Sequence, residues 1–149
     1  MARIEGTSGD DALIQGTDQK DSIATGSGND LVRAGDGDDW IYGNWETQIV
    51  YGQGGADDMW GYAARDVFAY EAASDSPNTN KGRDTIMDFG FGGTADSIDL
   101  SALGLDPSDV SIVETHKGWR VLADVNGDGV ADLGIDVLGV APTFGDLIL

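Results

Sequence analysis

Apolar and polar positions along the first 69 residues repeat with a period of nine. Residues 6–69 divide into seven blocks of nine residues, with Gln15 as a single inserted residue after the first block. The sixth position is Asp in six blocks and Gln48 in the fifth, and the eighth position is always apolar. The eighth positions are Leu13, Ile23, Val32, Ile41, Val50, Met59 and Phe68. A nine-residue period fits neither an α-helix nor an isolated alternating strand.

The period predicts a β-solenoid, in which each block forms a strand of about three residues and a turn of about six. The side chain at position eight then points into the core, and its neighbours at seven and nine point outward. Glycine at the fourth position lets the turn backbone curl, and it occurs in four blocks, at Gly9, Gly28, Gly37 and Gly55.

The period ends after Ala69, and the following residues indicate a different arrangement. Residues 71–83 have the polar, Pro- and Gly-containing composition of a surface loop. Segments 84–89 and 96–100 predict two strands joined by a glycine-rich hairpin connection. Three further strands are predicted at 110–113, 119–125 and 133–140. We therefore expect residues 1–69 to form the solenoid and residues 70–149 a small antiparallel β cap, as one continuous structural unit.

The acidic positions favour a hard metal ion. Glycine-rich turns bring carbonyl oxygens together, and each sixth-position carboxylate adds a charged oxygen, which suits Ca²⁺ better than Mg²⁺. The candidate carboxylates are Asp11, Asp21, Asp30, Asp39, Asp57 and Asp66. The alternative is a solenoid without metal, which we disfavour because stacked unpaired carboxylates are costly in a compact fold.

The composition of the chain excludes several kinds of ligand and covalent cross-link. The chain of 149 residues has 27 acidic and 8 basic residues and a net charge of −19, so nucleic acid is an unsuitable ligand. The absence of Cys excludes disulfides and thiolate metal sites. Neither a secretory signal peptide nor a membrane-spanning apolar run is present in the sequence.

The blocks resemble the RTX nonapeptide, GGxGxDxUx, of bacterial proteins exported by the type I route. The resemblance implies an all-β fold, a right-handed parallel β-roll (RTX solenoid), with each calcium held between the turns of alternate blocks. It pairs Asp11 with Asp30, Asp30 with Gln48, Asp21 with Asp39, Asp39 with Asp57, and Gln48 with Asp66. Matching glycines make Asp11/Asp30 and Asp39/Asp57 the best expected sites.

The fifth block departs from this pattern. Trp45, Glu46 and Gln48 stand where the family has a variable residue, Gly and Asp. A neutral Gln offers one carbonyl oxygen in place of a carboxylate. We expect the sites beside Gln48 to be weak or empty, unless Glu46 supplies the missing carboxylate.

Residues 66–76 and 84–104 resemble the C-terminal domain of serralysin-type metalloproteases and the R-modules of mannuronan C5-epimerases. The resemblance implies a structural cap that belongs to a secretion module and has no catalytic residues. The last residues, 145–149, place an acid before three apolar residues, similar to the C-terminal address of type I-secreted proteases and lipases. A final edge strand explains the same pattern equally well.

Residues 124–132 form a second calcium motif with the spacing of an EF-hand-like loop. Its candidate ligands are Asp124, Asn126, Asp128, the Val130 carbonyl and Asp132. Ile135 replaces the usual bidentate Glu, and the flanking segments look like strands, so we expect a strand-loop-strand site. The alternative is an ordinary Asn-Gly/Asp-Gly turn, which does not need four spaced acceptors.

Three aromatic residues, Trp40, Tyr42 and Trp60, are predicted to cluster on the outside of the roll. Such a cluster can stack on sugar rings or bind a partner. We favour the other interpretation, in which loop 71–83 or the cap covers them.

No arrangement of residues supports catalysis, since His116 is the only His and no nucleophile elbow is present. We expect a monomeric, extracellular, non-catalytic module that folds on binding several Ca²⁺ ions and supports type I secretion and stability of an attached protein. Its expected partners are calcium and, through the C-terminus, a type I exporter. The alternative is a module that binds an alginate-like polysaccharide for an extracellular enzyme.

Overall fold

Alternate blocks of the repeat form two facing sheets of parallel strands. The computed structural model describes all residues, 1–149, and contains fourteen β-strands and no α-helix. The strands of the repeat region are β1 (Arg3–Glu5), β2 (Ile14–Gln15), β3 (Ser22–Ala24), β4 (Asp30–Asp36), β5 (Trp40–Asn44), β6 (Gln48–Gly54), β7 (Asp58–Tyr62) and β8 (Val67–Ala69). Those that follow are β9 (Asp84–Phe89), β10 (Ser97–Asp99), β11 (Val110–Glu114), β12 (Trp119–Ala123), β13 (Leu133–Gly139) and β14 (Leu147–Ile148). Short 3-10 turns lie at Ala73–Asp75, Phe91–Gly93, Ser101–Leu103, Pro107–Asp109 and Phe144–Asp146.

The strand order confirms an all-β fold built on a parallel β-roll. The first sheet has the order β1-β3-β5-β7-β9-β13-β12-β11, and the second sheet has the order β14-β10-β8-β6-β4-β2. All pairs are parallel except β11–β12 and β12–β13, so the antiparallel part is confirmed as three strands that extend the first sheet. None of the helical turns has the length or apolar character required to cross a bilayer.

The eighth positions of the blocks stack into the core, as the period predicts. Ile41 lies in register between Ile23 and Met59 in the first sheet, and Val50 lies between Val32 and Phe68 in the second. These side chains are at most 1% exposed and belong to a core of 21 buried residues. Burying each large side chain stabilises the fold by about 1.5–3 kcal/mol, which is offset by the loss of conformational entropy on folding.

The first block differs from its prediction by one residue. Ile14, not Leu13, pairs with Val32 and is buried, whereas Leu13 is 50% exposed. The Asp11 backbone N–H still donates to Asp30, so the extra residue lies between Asp11 and Ile14 and not at Gln15. A shift of one residue reverses the face of a strand. Because the inserted residue precedes the strand, Asp11 keeps its place in the acidic stack and Ile14 keeps an apolar side chain in the core.

The predicted hairpin between β9 and β10 is wrong, because the two strands lie in different sheets. β9 pairs in parallel with β7 and places Ile86 beside Met59. β10 pairs in parallel with β8 and places Ile98 beside Phe68. Both strands therefore continue the ladders of the repeat, each with an Asp two residues before the buried Ile.

The loop between β8 and β9 is held to the sheets at two points. Glu71 forms two 2.8 Å hydrogen bonds with the Arg33 guanidinium on β4 of the second sheet. Pro77 then forms a bridge to Leu133 at the start of β13. The C-terminal residues form β14, which pairs in parallel with β10, as the edge-strand interpretation predicts.

Candidate metal-binding turns

The sixth-position residues form two stacks, one at each edge of the roll. In each stack the backbone N–H of one residue donates to the carboxylate of the residue in the next coil. These distances are 2.9 Å for Asp11 to Asp30, 2.7 Å for Asp21 to Asp39, 2.8 Å for Asp39 to Asp57, and 2.8 Å for Gln48 to Asp66. Asp30 and Gln48 are in register between β4 and β6. The five neighbour pairs are thus present, and calcium ligation by them stays a prediction.

Two acids outside the repeat extend these stacks, and the sequence reasoning missed them as candidate ligands. The Asp57 N–H donates to Asp84 at 3.0 Å, and the Asp66 N–H donates to Asp96 at 3.0 Å. Both acids are buried. The signal was an Asp two residues before a buried Ile, at Asp84 and again at Asp96, which repeats the spacing of positions six and eight.

Four of these carboxylates keep one oxygen without a hydrogen bond of good geometry, and the buried Tyr70 hydroxyl lies beside that of Asp84. The buried, unpartnered atoms are Oδ2 of Asp39, Asp57, Asp66 and Asp84. A buried acceptor without a partner costs about 1–3 kcal/mol, and a charged acceptor costs more. Calcium coordinates oxygen atoms of this kind. The residues of these turns therefore fit a hard cation.

The remaining carboxylates of the stacks are satisfied by protein groups. Asp21 accepts the N–H and the hydroxyl of Thr17, at 2.8 and 2.7 Å. The Thr7 N–H donates to Asp11, the Asn44 side-chain amide to Asp30, and the Gly90 N–H to Asp96. The Asp11/Asp30 turn pair therefore differs from Asp39/Asp57, although the glycine pattern ranks the two together.

Burial makes the inner carboxylates resist ionisation. It raises the pKa of Asp39 to about 6, that of Asp66 to about 7 and that of Asp57 to about 8. The backbone N–H donors offset only part of this effect, and the carboxylate of the preceding coil adds repulsion at Asp39 and Asp57. For Asp21 burial is outweighed by the Thr17 hydroxyl and by backbone donors, so its pKa is lowered. A cation between the inner acids would reverse their shifts.

Glycine is required where successive turns touch. Gly55 has φ +136°, and a side chain there would collide with the carbonyl of Gly37 in the coil below. Gly37 itself has φ +122° and lies against the backbone of Gln19 and Lys20. Such conformations cost little only for glycine. They let the backbones of successive turns approach each other closely.

The loop at 124–132 joins β12 to β13, so the expected strand-loop-strand arrangement is confirmed. Its acidic side chains bind their own backbone. Asp124 accepts from Gly127 and Gly129 at 2.8 and 2.7 Å, and Asp132 accepts from Val125 at 3.0 Å. No three His, Cys, Asp or Glu side chains converge on a metal position here or elsewhere in the chain. Calcium ligation by this loop stays a prediction, and any site in the stacked turns relies on carbonyl oxygens.

The three aromatic residues do cluster on the outer face of the first sheet. The rings of Tyr42 and Trp60 stack with centroids 4.8 Å apart and planes 15° apart. The Lys20 ammonium lies 4.2 Å from the Trp40 ring centroid, and Trp40 remains 36% exposed. Loop 71–83 is held to the second sheet through Glu71 and to β13 of the first sheet through Pro77, and Tyr42 and Trp60 are half-buried.

A cleft of about 450 Å³ lies on the same face, next to β7. Three basic and two acidic side chains line it, the latter Asp58 and Asp136, and Asp136 lies between Arg83 and Arg120. Its charged and aromatic lining includes Arg83, His116, Lys117, Trp119, Arg120 and Asp136.

Comparison with known proteins agrees with this geometry. The profile of the family described as peptidase M10 serralysin C terminal matches residues 2–138. The fold is similar to the AlgE6R2 subunit of the mannuronan C5-epimerase of Azotobacter vinelandii, with a TM-score of 0.51 and 22% identity over 97% of this chain and 90% of that one. The AlgE6R3 subunit aligns with a TM-score of 0.47 and 22% identity over 97% of this chain and 83% of that one. No curated protein sequence matches the chain.

The resemblance to serralysin C-terminal domains and epimerase R-modules is thereby confirmed. Family and fold together support a calcium-binding β-roll module. Because the profile covers nearly the whole sequence, the chain belongs to the serralysin C-terminal family of the M10 peptidases.

Proposed function

We propose that this chain is a non-catalytic module that folds when Ca²⁺ binds its stacked turns outside the cell. In this role it supports type I export and the stability of an attached protein. The observation that carries the proposal is the set of four buried carboxylate oxygens without partners, on Asp39, Asp57, Asp66 and Asp84. In a compact fold these atoms require a cation or protons.

Metal binding and folding are coupled in this proposal. The net charge is −19, and the buried acids of one stack repel each other. The strands are short, with two to seven residues each, so each coil gains little from its own burial. Binding free energy then becomes folding free energy. At low calcium the chain stays unfolded, which is the state that a narrow exporter requires.

The proposed ligands are the acids of both stacks together with turn carbonyls. Within the roll they are Asp11, Asp21, Asp30, Asp39, Asp57 and Asp66, extended by Asp84 and Asp96. The loop at 124–132 is a separate candidate site. Residues 1–69 and 70–149 act as one unit, because β9 and β10 supply the next coil for β7 and β8.

The test is a calcium titration followed by far-UV circular dichroism. We expect a coil spectrum in excess chelator and a β spectrum in millimolar calcium. Identical spectra in the two conditions would overturn the proposal. The fourfold set of unpartnered oxygens also predicts binding of several ions, which equilibrium dialysis counts directly.

Export has its own test, because the last residues also form β14. We expect that removing residues 146–149 stops secretion in a host with a matching type I exporter. The purified truncated protein should still fold in calcium, since β14 contributes only two residues to an edge. Continued secretion would remove the export signal from this tail. Loss of folding together with export would show that the tail acts as a strand alone.

A polysaccharide-binding role is the second candidate, and the aromatic cluster on the outer face of the first sheet favours it. The Tyr42–Trp60 stack and the neighbouring cationic cleft offer a ring face and positive charge on one side of an acidic protein. We expect uronate-containing glycans to bind on a glycan array in calcium, and Trp60→Ala to abolish binding. Trp45→Ala is the control, because Trp45 is 73% exposed in a turn outside this face. No binding by the wild-type protein would exclude this role.

A further inference from the structure

We propose that the gap between the third and fifth turns is closed by side-chain amides in place of a calcium ion. The two turns are residues 25–30 and 43–48, which stack at one edge of the roll. This inference rests on the proposed function for the other turns, and it says that this pair is an exception. It follows from the contacts of Asn44 and Gln48.

Asn44 occupies the place where a cation would coordinate the third turn. Its Nδ2 lies 3.1 Å from Thr25 Oγ1, 3.0 Å from the Gly28 carbonyl oxygen and 3.1 Å from Asp30 Oδ2. A hydroxyl, a carbonyl and a carboxylate form the kind of oxygen set that calcium takes. Asn44 is 7% exposed, so its amide group is enclosed within the turn pair.

Gln48 adds a second amide to the same gap. Its Nε2 lies 2.7 Å from Asn44 Oδ1, 2.7 Å from the Glu46 carbonyl and 3.3 Å from the Gly28 carbonyl. Because all three neighbours are oxygen acceptors, a flipped amide would place its oxygen against oxygens. The donor group must therefore face the gap. Two NH₂ groups with partial positive charge then fill the volume and repel a cation.

The small number of carboxylates at this turn pair also disfavours a cation. Asp30 is the only sixth-position acid of the pair, since its partner is Gln48, and its second oxygen is bound by Asn44. Asp39 and Asp57, which form the pair on the opposite edge, both keep an unpartnered oxygen. Glu46 does not restore the missing carboxylate, because its side chain is exposed and its backbone N–H donates to Asn44 Oδ1 at 2.7 Å.

The replacement of a calcium ion by side-chain amides concerns only the side of the fifth turn that faces the third turn. Gln48 Oε1 is buried without a partner, as is Oδ2 of Asp66 in the next turn of the stack. The turn pair 43–48 and 61–66 therefore keeps acceptor oxygens for a cation. The Gln48 amide donates to Asn44 and Glu46 of its own turn and to Gly28 of the third turn, while its Oε1 has no partner.

The test is to rebuild the repeat pattern in the fifth turn. The double variant Asn44→Gly, Gln48→Asp restores the small residue found in the third and fourth blocks and the usual carboxylate. We expect the folded double variant to bind one more calcium per chain than the wild type in equilibrium dialysis at saturating calcium. Asn44→Gly alone is the control, because Gln48 Nε2 still occupies the gap, and its ion count should not change.

An unchanged count in a double variant that shows the wild-type β spectrum would overturn the inference. If the double variant does not fold, a calcium-soaked crystal of the wild type decides the matter. Anomalous density between Gly28 and Asn44 would overturn the inference, whereas density at Asp39/Asp57 and none at Asn44 would support it. Failure of the proposed function gives a different result, namely no calcium bound by the wild type in any turn.

Discussion

Asp39 lies in the middle of its stack and bonds to the acids on both sides. Its carboxylate accepts the Asp21 N–H, and its own N–H donates to Asp57. Asp39→Asn keeps this shape and removes the charge at two turn pairs. We expect the calcium midpoint for folding to rise at least about tenfold, which corresponds to about 1.4 kcal/mol. A calcium titration followed by circular dichroism measures the midpoint, and Asp18→Asn, at an exposed position, is the control. Equal calcium midpoints for the two variants would contradict the register of the stack.

The buried acids also predict how the metal-free fold responds to pH. Asp39, Asp66 and Asp57 have pKa values of about 6, 7 and 8 in the folded chain, raised by burial from an ordinary value of 3.8. Groups with a raised folded pKa bind protons more tightly when folded, so their contribution is full below pH 4 and is lost as pH rises through 6 to 8. Asp21 and Glu71 have lowered pKa values, but burial raises the pKa of seven carboxyl groups, so the raised groups decide the sign.

We therefore expect calcium-free protein to show more β structure at about pH 5 than at about pH 8. Circular dichroism of dialysed protein across this range measures the effect. Saturating calcium should remove the dependence at neutral pH, because the ion replaces the protons. A metal-free β signal that increases with pH would contradict the burial of these carboxylates.

The sequence predicted the positions of most core and acidic residues, but not all of them. The nine-residue period identified the sixth-position acids and six of the seven buried eighth positions. It could not locate the inserted residue, because Leu13 and Ile14 are both apolar and only the core distinguishes them. Nor could it show the role of Asn44, which depends on oxygens brought close only by stacking.

The strands β9 and β10 are coils of the roll, although the sequence places them outside the repeat. Their existence was predictable from apolar alternation, but their partners were not. The residues between β8 and β9 lengthen the step from Asp57 to Asp84 to 27 residues, compared with 18 inside the repeat. An inserted loop costs little entropy, so the chain resumes the ladder after it.

This arrangement predicts a large effect of Ile86→Ala. Ile86 is fully buried, and it lies in register between Met59 of β7 and Val137 of β13. We expect the variant to lose about 2–5 kcal/mol in urea unfolding at saturating calcium. Phe91→Ala is the control, because Phe91 is 49% exposed, and it should change stability by about 0.5 kcal/mol or less. Equal losses for the two variants would contradict the pairing of β9 with β7.

At the scale of the whole molecule, half of the basic side chains lie on one face, where Asp58 and Asp136 accompany them. The acids of the repeat line the two edges, whereas Lys20, Arg83, Lys117 and Arg120 lie on or beside the outer face of the first sheet. A chain with net charge −19 gains most from ions that bind at the edges. The flexible oxygen sites formed by turn carbonyls suit Ca²⁺, while Mg²⁺ demands a tighter octahedron and sheds water reluctantly.

We therefore expect that Mg²⁺ cannot replace Ca²⁺ in folding the chain. Titration with millimolar Mg²⁺ should leave the metal-free spectrum unchanged, and subsequent addition of Ca²⁺ should produce the β spectrum. Sodium chloride at matched ionic strength controls for screening. Folding in magnesium or in salt alone would show that general neutralisation suffices and that the turns are not selective.

The regular step between stacked coils also sets the kinetics of assembly. Within the repeat each coil bonds to the one 18 or 19 residues before it. Every closure therefore spans a short loop of nearly constant length, so its entropic cost is similar at each step. Growth can begin at any formed pair and proceed one coil at a time, as in a one-dimensional lattice. Because these bonds between coils span 18 residues or more, we expect formation of the first pair of coils, and not the addition of later coils, to set the folding rate once the ion is available.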